Sequence, residues 1–295
     1  MVFGSRLSHP RLIAWSYTSV ARPSSELCDT GVAVSISPTP DEVWRMILYG
    51  KIPGLQRARQ FYKLLPGDKR CKNCYVPLSG FSSPLMRLMG RRAYHKNPRF
   101  CNWCMWLGRV YPGGTEIEIS LLFADVRGST NLAGSMGAAE FSQLMSRFYH
   151  AATNVLIRTD AFIDKLVGDE VIGLYIPGYA GKHHARKAVH AAQRLGRAMG
   201  YGTPAGPWLP IGVGVHTGVA YVGTVQGTEG AVTDFTALGD SVNVAARLGS
   251  TAKSGEALIS DVTYAAAGLK LGYLERRQLE LKGKADPVSV RVLGL

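Results

Sequence analysis

One stretch constrains this chain more than any other: Glu116 to Thr130, EIEISLLFADVRGST. Charged and apolar residues alternate at first, then the segment becomes continuously apolar as ISLLF, the pattern of a strand entering a buried sheet. The strand runs out at Asp125 into a Gly-Ser-Thr turn ahead of a helical pattern. Such a junction exposes a carboxylate at the sheet edge and leaves N–H groups of the turn free to face an anion.

The elements that follow alternate as in an α/β domain. Ala138–Ile157 carries Phe141, Leu144, Met145 and Phe148 at amphipathic helical spacing. Two apolar runs, Ala161–Val167 and Val171–Ile176, flank Gly168-Asp169-Glu170 and predict a hairpin. His183–Met199 reads as a helix, with its histidines 183, 184 and 190 in solvent. Pro210–Val219 and Ala220–Val225 read as two strands hinged at Thr217-Gly218, Asp240–Leu248 as a helix, and Leu279–Leu293 as two strands around Lys282-Gly283-Lys284. Upstream, residues 1–38 are rich in Ser, Pro and Thr and are expected to be disordered. Asp41 to Gly50 and Leu55 to Leu65 predict two helices, and YPGG at 111–114 marks a boundary. Three units result: an extension over 1–38, a basic module over 39–110 and a larger domain over 115–295.

Charge separates them. The formal net charge is +13, and residues 1–115 hold 17 Lys and Arg against 5 Asp and Glu. A module so basic can meet nucleic acid, an anionic membrane surface or an acidic protein. Arg87, Arg91, Arg92, Lys96 and Arg99 with Tyr94 and Phe100 have the composition of a nucleic-acid surface, but an intramolecular role against the larger domain, or docking of a regulator protein, is the favoured reading. No window approaches the roughly 18 apolar residues of a membrane span. The N-terminus lacks the apolar run of a secretory signal. A soluble, cytoplasmic protein is expected.

Asp125 and Asp169 fall on neighbouring strand ends, where two carboxylates could hold a pair of Mg²⁺ or Mn²⁺ ions, hard cations that prefer oxygen and clamp phosphate oxygens in phosphoryl transfer. Singly, each aspartate reads as a turn former. In TDFTALGDSVNVAAR, Asn243 and Arg247 stand four residues apart and so share a helix face, placing an amide and a guanidinium where they could orient a ribose and hold an α-phosphate. Glu170 reads as a solvent-facing neighbour of Asp169. No GxxxxGK[ST] motif is present, which disfavours a P-loop NTPase.

Together FADVRGST, KLVGDE, IGVGVHTG, TDFTALGDSVNVAAR and the terminal LKGK resemble the class III adenylate/guanylate cyclase catalytic domain over about residues 116–295. The resemblance implies an α+β, ferredoxin-like, palm-like fold with a mainly antiparallel sheet and flanking helices. It implies two Mg²⁺ or Mn²⁺ ions on Asp125 and Asp169, with the Val126 carbonyl as an accessory ligand. The backbone of Arg127, Gly128, Ser129 and Thr130 would cover the β- and γ-phosphates. Lys165 and Thr236 would recognise the purine, and Asn243 and Arg247 would act on the transition state. Lys282, or Lys284 in its place, would contact the triphosphate. A Lys ammonium donates to adenine N1 and a Thr hydroxyl accepts from its N6 amine, so this pair points to ATP, whereas guanylate-forming relatives place Glu and Cys there. The family's site is shared between two chains, so the resemblance implies a head-to-tail homodimer that makes cyclic AMP. The alternatives are a guanylate or other two-metal nucleotidyl cyclase, or a non-catalytic nucleotide-binding signalling module.

Cys71-x-x-Cys74 and Cys101-x-x-Cys104 have the chelate spacing of a tetrahedral Cys₄ zinc site, although the gap between the pairs is longer than usual. An iron–sulfur cluster is the alternative metal, and disulfides the alternative chemistry. Cys28 stands apart.

Overall fold

Strand β1 (Gly113–Val126) is longer than its alternation marks, because it starts on the glycines of YPGG. Gly114 pairs with Gly223 of β4 (Ile211–Gln226). A Cβ at position 114 would lie 2.6 Å from the Val222 carbonyl oxygen, so glycine is what lets the two strands approach there. The computed structural model describes residues 38–110, 112–227, 233–270, 272–284 and 286–295, and the readings made for residues 1–37, Cys28 among them, lie outside these.

The strand β4 is likewise one continuous strand of 16 residues, not two strands hinged at Thr217-Gly218. Gly218 is needed for clearance instead of bending: a Cβ there would meet Ser241 Oγ at 2.5 Å, where helix α9 (Asp240–Thr251) crosses the sheet.

Among the described residues the sheet has eight strands. They run in the order β2 (Phe162–Val167), β3 (Glu170–Tyr175), β1, β4, β6 (Glu256–Ser260), β8 (Val288–Gly294) and β7 (Glu275–Leu279), and β5 (Thr233–Leu238) pairs with β4 off this path. Every pairing is antiparallel except β4 with β6. The mixed α+β architecture with a mostly antiparallel sheet is therefore the one the motifs imply.

One face packs against α6 (Ala138–Arg158), α8 (His184–Met199) and α10 (Asp261–Ala267). Phe148, Leu156, Leu195 and Met199 join Leu122, Val126 and Val213 in one apolar cluster. His184 belongs to this interior, contrary to the exposed placement its helix suggested: it is 8% exposed and its Nδ1 lies 2.9 Å from Ser120 Oγ. The helix begins one residue later than expected and turns that side chain inward.

The opposite face is covered by α9 and by residues from the basic N-terminal segment. That segment comprises α1 (Pro40–Leu48), α2 (Pro53–Lys63), α3 (Ser83–Leu88) and α4 (Asn102–Val110); the short helices α5 (Ser129–Ser135) and α7 (Pro177–Ala180) complete the fold. Trp44, Leu48 and Phe100 share a buried cluster with Ile119, Leu121, Phe123 and Phe162. Trp44 stacks on Phe235 at 6.3 Å, and Phe100 meets Phe162 edge-on at 5.6 Å. Burying side chains of this size contributes roughly 1.5–3 kcal/mol each, so the segment is held to the sheet by a real core.

Candidate active site and cysteine centre

Asp125 sits at the end of β1 directly opposite Glu170 of β3. The Val126 N–H donates to the Asp169 carbonyl at 3.1 Å, which locks the β2–β3 turn beside the end of β1. Gly128, at φ 71°, lets the chain reverse there, and Ser129 Oγ donates to the Asp169 carboxylate. Arg127 donates to Asp125 and, through Nη1, to the Ser250 carbonyl at 2.6 Å. The sequence thus delivers two local turns, and the sheet register joins them.

Three carboxylates meet here. Burial pushes the Asp125 carboxyl above its usual range, with Arg127 opposing and Asp169 adding to the shift. Glu170 is pushed up to about 7, first by burial and then by the charges of Asp125 and Asp169. Glu170 is therefore a half-buried member of the site and not a solvent-facing bystander; its facing position to Asp125 depends on strand register, which has no local sequence signal. Two unfavourable carboxylate pKa shifts in one cluster fit a dication, whose oxygen preference and charge would relieve both.

A cleft of about 430 Å³ opens on this cluster, lined by Asp125, Gly168, Asp169, Glu170 and Arg247 among others. Arg247 Nη1 is buried and has no hydrogen-bond partner among the described residues. A desolvated guanidinium N–H beside an acidic, cation-suited cleft is suited to an anionic oxygen. Asn243 is exposed one turn earlier on α9, and Lys282 is exposed in the turn after β7. Lys284 is engaged by Asp240. Lys165, Thr236 and Asn243 lie outside the cleft.

Lys165 and Thr236 are brought together elsewhere. Thr236 Oγ1 donates to Asp164 Oδ2 at 3.0 Å, and Lys165 Nζ lies 3.9 Å from Asp234. The N-terminal segment reaches this cluster directly. Lys96 Nζ is 3.4 Å from Asp234, and buried Asn97 accepts from the Ile163 N–H at 2.7 Å while donating to the Ile163 carbonyl at 2.9 Å. Asn97 covers the outer edge of β2 as another strand would. Lys72 and Lys187 both pair with Asp160, at 2.5 and 2.7 Å.

The four cysteines of the two C-x-x-C pairs converge. Their sulfurs lie within 4.8 Å of one another, with Cys74 to Cys101 at 3.6 Å and Cys71 to Cys104 at 3.9 Å. All four are unbridged. The Cys101 N–H donates to Cys71 Sγ at 3.2 Å and the Cys104 N–H to Cys101 Sγ at 3.4 Å, contacts that favour thiolate. Four thiolates at about 2.3 Å from one tetrahedral ion stand about 3.8 Å apart, so the donor set fits a metal.

Crowded carboxylates at two strand ends, beside a glycine turn and an unsatisfied arginine, form a cleft chemically suited to a divalent cation and a phosphate-bearing ligand. Residues 114–293 match the Adenylate and Guanylate cyclase catalytic domain, and the chain belongs to that family. It is 28% identical over 182 residues to the adenylate cyclase of Anabaena cylindrica, covering 59% of this chain and 36% of that protein. It is 30% identical over 190 residues to the terminal-differentiation specific adenylate cyclase of Dictyostelium discoideum, covering 61% of this chain and 9% of that one. The chain thus spans about a third or less of these curated relatives. Among solved structures, the guanylyl cyclase Cya2 superposes with a TM-score of 0.56 at 26% identity, over 62% of this chain and 95% of that chain. The adenylyl cyclase CyaB from P. aeruginosa does so with a TM-score of 0.54 at 27% identity, over 62% and 96%.

Proposed function

We propose that this chain is an adenylate cyclase that converts ATP to 3′,5′-cyclic AMP and pyrophosphate by in-line attack of the ribose 3′-hydroxyl on the α-phosphate. The observation that carries the reading is the clustering of Lys165 and Thr236, a cationic donor and a hydroxyl acceptor suited to adenine, in a chain that also forms the carboxylate cleft. Asp125 and Asp169, with the Val126 carbonyl, would hold Mg²⁺ or Mn²⁺. Bound there, the ions supply charge neutralisation on the phosphates and a more acidic attacking hydroxyl. The backbone of residues 127–130 covers the β- and γ-phosphates. Lys282 reaches the triphosphate, since Asp240 engages Lys284. Arg247 offers its unsatisfied N–H to charge developing on the α-phosphate, and Asn243 orients the ribose.

The working unit in this reading is a homodimer. The cleft holds the carboxylates but lacks Lys165, Thr236 and Asn243. Exposed Leu166, Val167, Val219 and Leu238 offer apolar surface for a second copy, and two head-to-tail chains would make two equivalent sites. Residues 39–110 serve as a regulatory module whose Cys₄ centre holds one zinc ion. The sulfur separations leave room for a single ion, which disfavours an iron–sulfur cluster. No helix among the described residues is long and apolar enough to cross a membrane. The cytoplasm, which supplies ATP and keeps thiols reduced, is the compartment this reading implies.

The test uses purified full-length protein with Mn²⁺ and either ATP or GTP. Cyclic AMP should form from ATP and be lost in Asp125→Ala and Asp169→Ala. A preference for GTP, or activity surviving either substitution, would overturn the assignment. Mixing Asp125→Ala with Asn243→Ala chains should restore activity through one intact shared site, because Asn243 lies outside the cleft that holds Asp125. An absorption spectrum without visible bands, with one zinc per chain, is expected of the cysteine centre.

A further inference from the structure

The pairing between β2 and β3 is regular except at one place, where the register shifts between Ile163 and Lys165. Asp164 is the residue at this bulge. A bulge leaves one residue outside the ladder and re-aims its side chain, and such irregularities are over-represented beside active sites. Here the carboxylate turns to Thr236 of β5, 72 positions away, and accepts its hydroxyl proton at 3.0 Å. Both residues are almost fully buried, at 4% and 3% exposure. The other carboxylate oxygen, Asp164 Oδ1, is buried with no hydrogen-bond partner among the described residues. Burying a carboxylate that leaves an oxygen unsatisfied is costly for stability, so packing gives no reason for it.

Hydrogen-bond polarity supplies a reason. A threonine hydroxyl has one proton and two lone pairs. With the proton committed to Asp164, Thr236 can offer a ligand only lone pairs. Adenine presents an N–H donor at its six position and is accepted. Guanine presents a carbonyl oxygen there and meets lone pair against lone pair.

We propose that Asp164 is a specificity-determining residue that acts through Thr236, fixing its hydroxyl as an acceptor and thereby selecting purine triphosphates with an amine at the six position. This rests on the reading of Lys165 and Thr236 as the base-recognition pair. Asn97, bonded to both backbone groups of Ile163, holds the bulge from outside.

The charged groups facing Asp164 are Lys165 of its own strand, Lys96 of the N-terminal segment and Asp234 of β5. Its carboxyl is pushed up to about 6, mainly by burial, with the Thr236 hydrogen bond and the two lysines opposing. Below that pH the carboxyl gains a proton and can itself donate, so Thr236 loses its fixed polarity.

The experiment compares kcat/KM for ATP and GTP in full-length wild type, Asp164→Asn, Thr236→Val and the double variant. An asparagine can donate to Thr236, so Asp164→Asn should lower the ATP:GTP ratio about tenfold to a hundredfold, the scale of one hydrogen bond to a charged group. In the double variant the ratio should fall no further than in Thr236→Val alone, because Asp164 acts through that hydroxyl. Equal losses on both nucleotides in Asp164→Asn would make Asp164 merely structural and sink the proposal. An unchanged ratio in Thr236→Val would instead remove the base-recognition reading, and this proposal with it. Should Asp164→Asn not fold, wild type still decides. Its ATP:GTP ratio should fall as pH is lowered through about 6, and a ratio that stays flat from pH 5 to 8 counts against Asp164.

Discussion

Replacing Asn97 with alanine tests how the N-terminal segment is joined to the cyclase sheet. The side chain makes two buried hydrogen bonds, 2.7 and 2.9 Å, to the N–H and C=O of Ile163. Each is worth about 1 kcal/mol net, and an orphaned buried backbone group adds about 1–3 kcal/mol, so the loss should be about 3–5 kcal/mol. For a unit of this size each kcal/mol lowers Tm by roughly 2–4 °C, giving a drop of roughly 6–20 °C. Thermal and urea unfolding monitored by tryptophan fluorescence would measure it. Asn97→Asp, which keeps an acceptor for the Ile163 N–H, should recover part of the loss. Because Ile163 precedes Asp164 and Lys165, KM for ATP should rise while kcat changes little. A loss below about 0.5 kcal/mol, the size of an ordinary surface substitution, would show that Asn97 does not carry the edge of β2. Lower stability with KM unchanged would confine its role to structure.

Glu170, raised to about 7, is neutral below that pH and ionised above it, so Mn²⁺ affinity should rise as pH passes upward through about 7. Paramagnetic titration at pH 6 and 8 checks this, and Glu170→Gln should flatten the dependence. A Cβ at Gly214 would lie 2.6 Å from the Ala245 carbonyl, a backbone atom that cannot yield without moving α9. Gly214→Ala should therefore cost about 1–3 kcal/mol and abolish cyclase activity by displacing Asn243 and Arg247, while a fully active variant would contradict the packing. Cys101→Ser should reduce bound metal to well below one per chain by elemental analysis. Chelation should lower Tm of the wild type and leave that of Cys101→Ser unaffected, because a metal bound only by the folded chain stabilises it by mass action.

What could be read from the chain alone is what depends on neighbours in sequence. The run into Asp125, the turn at Asp169, the spacing of Asn243 and Arg247 and the two C-x-x-C pairs are all local patterns, produced by strand, turn and helix periodicities of a few residues. The order of those motifs was enough to indicate the cyclase fold and its antiparallel sheet. Tertiary structure decided the rest, since register and packing join residues with no periodic relation. It continued β4 through Gly218 and turned His184 inward onto Ser120. It put Glu170 opposite Asp125, and Asp164 beside Thr236. It also took the segment before YPGG, which reads as a separate basic module, and gave it a common core with the sheet through Trp44, Phe100 and Phe162. The physical reason is the same in each case: a carboxylate's partner, or a tryptophan's, is set by which surfaces exclude water together, and that is a property of the folded chain.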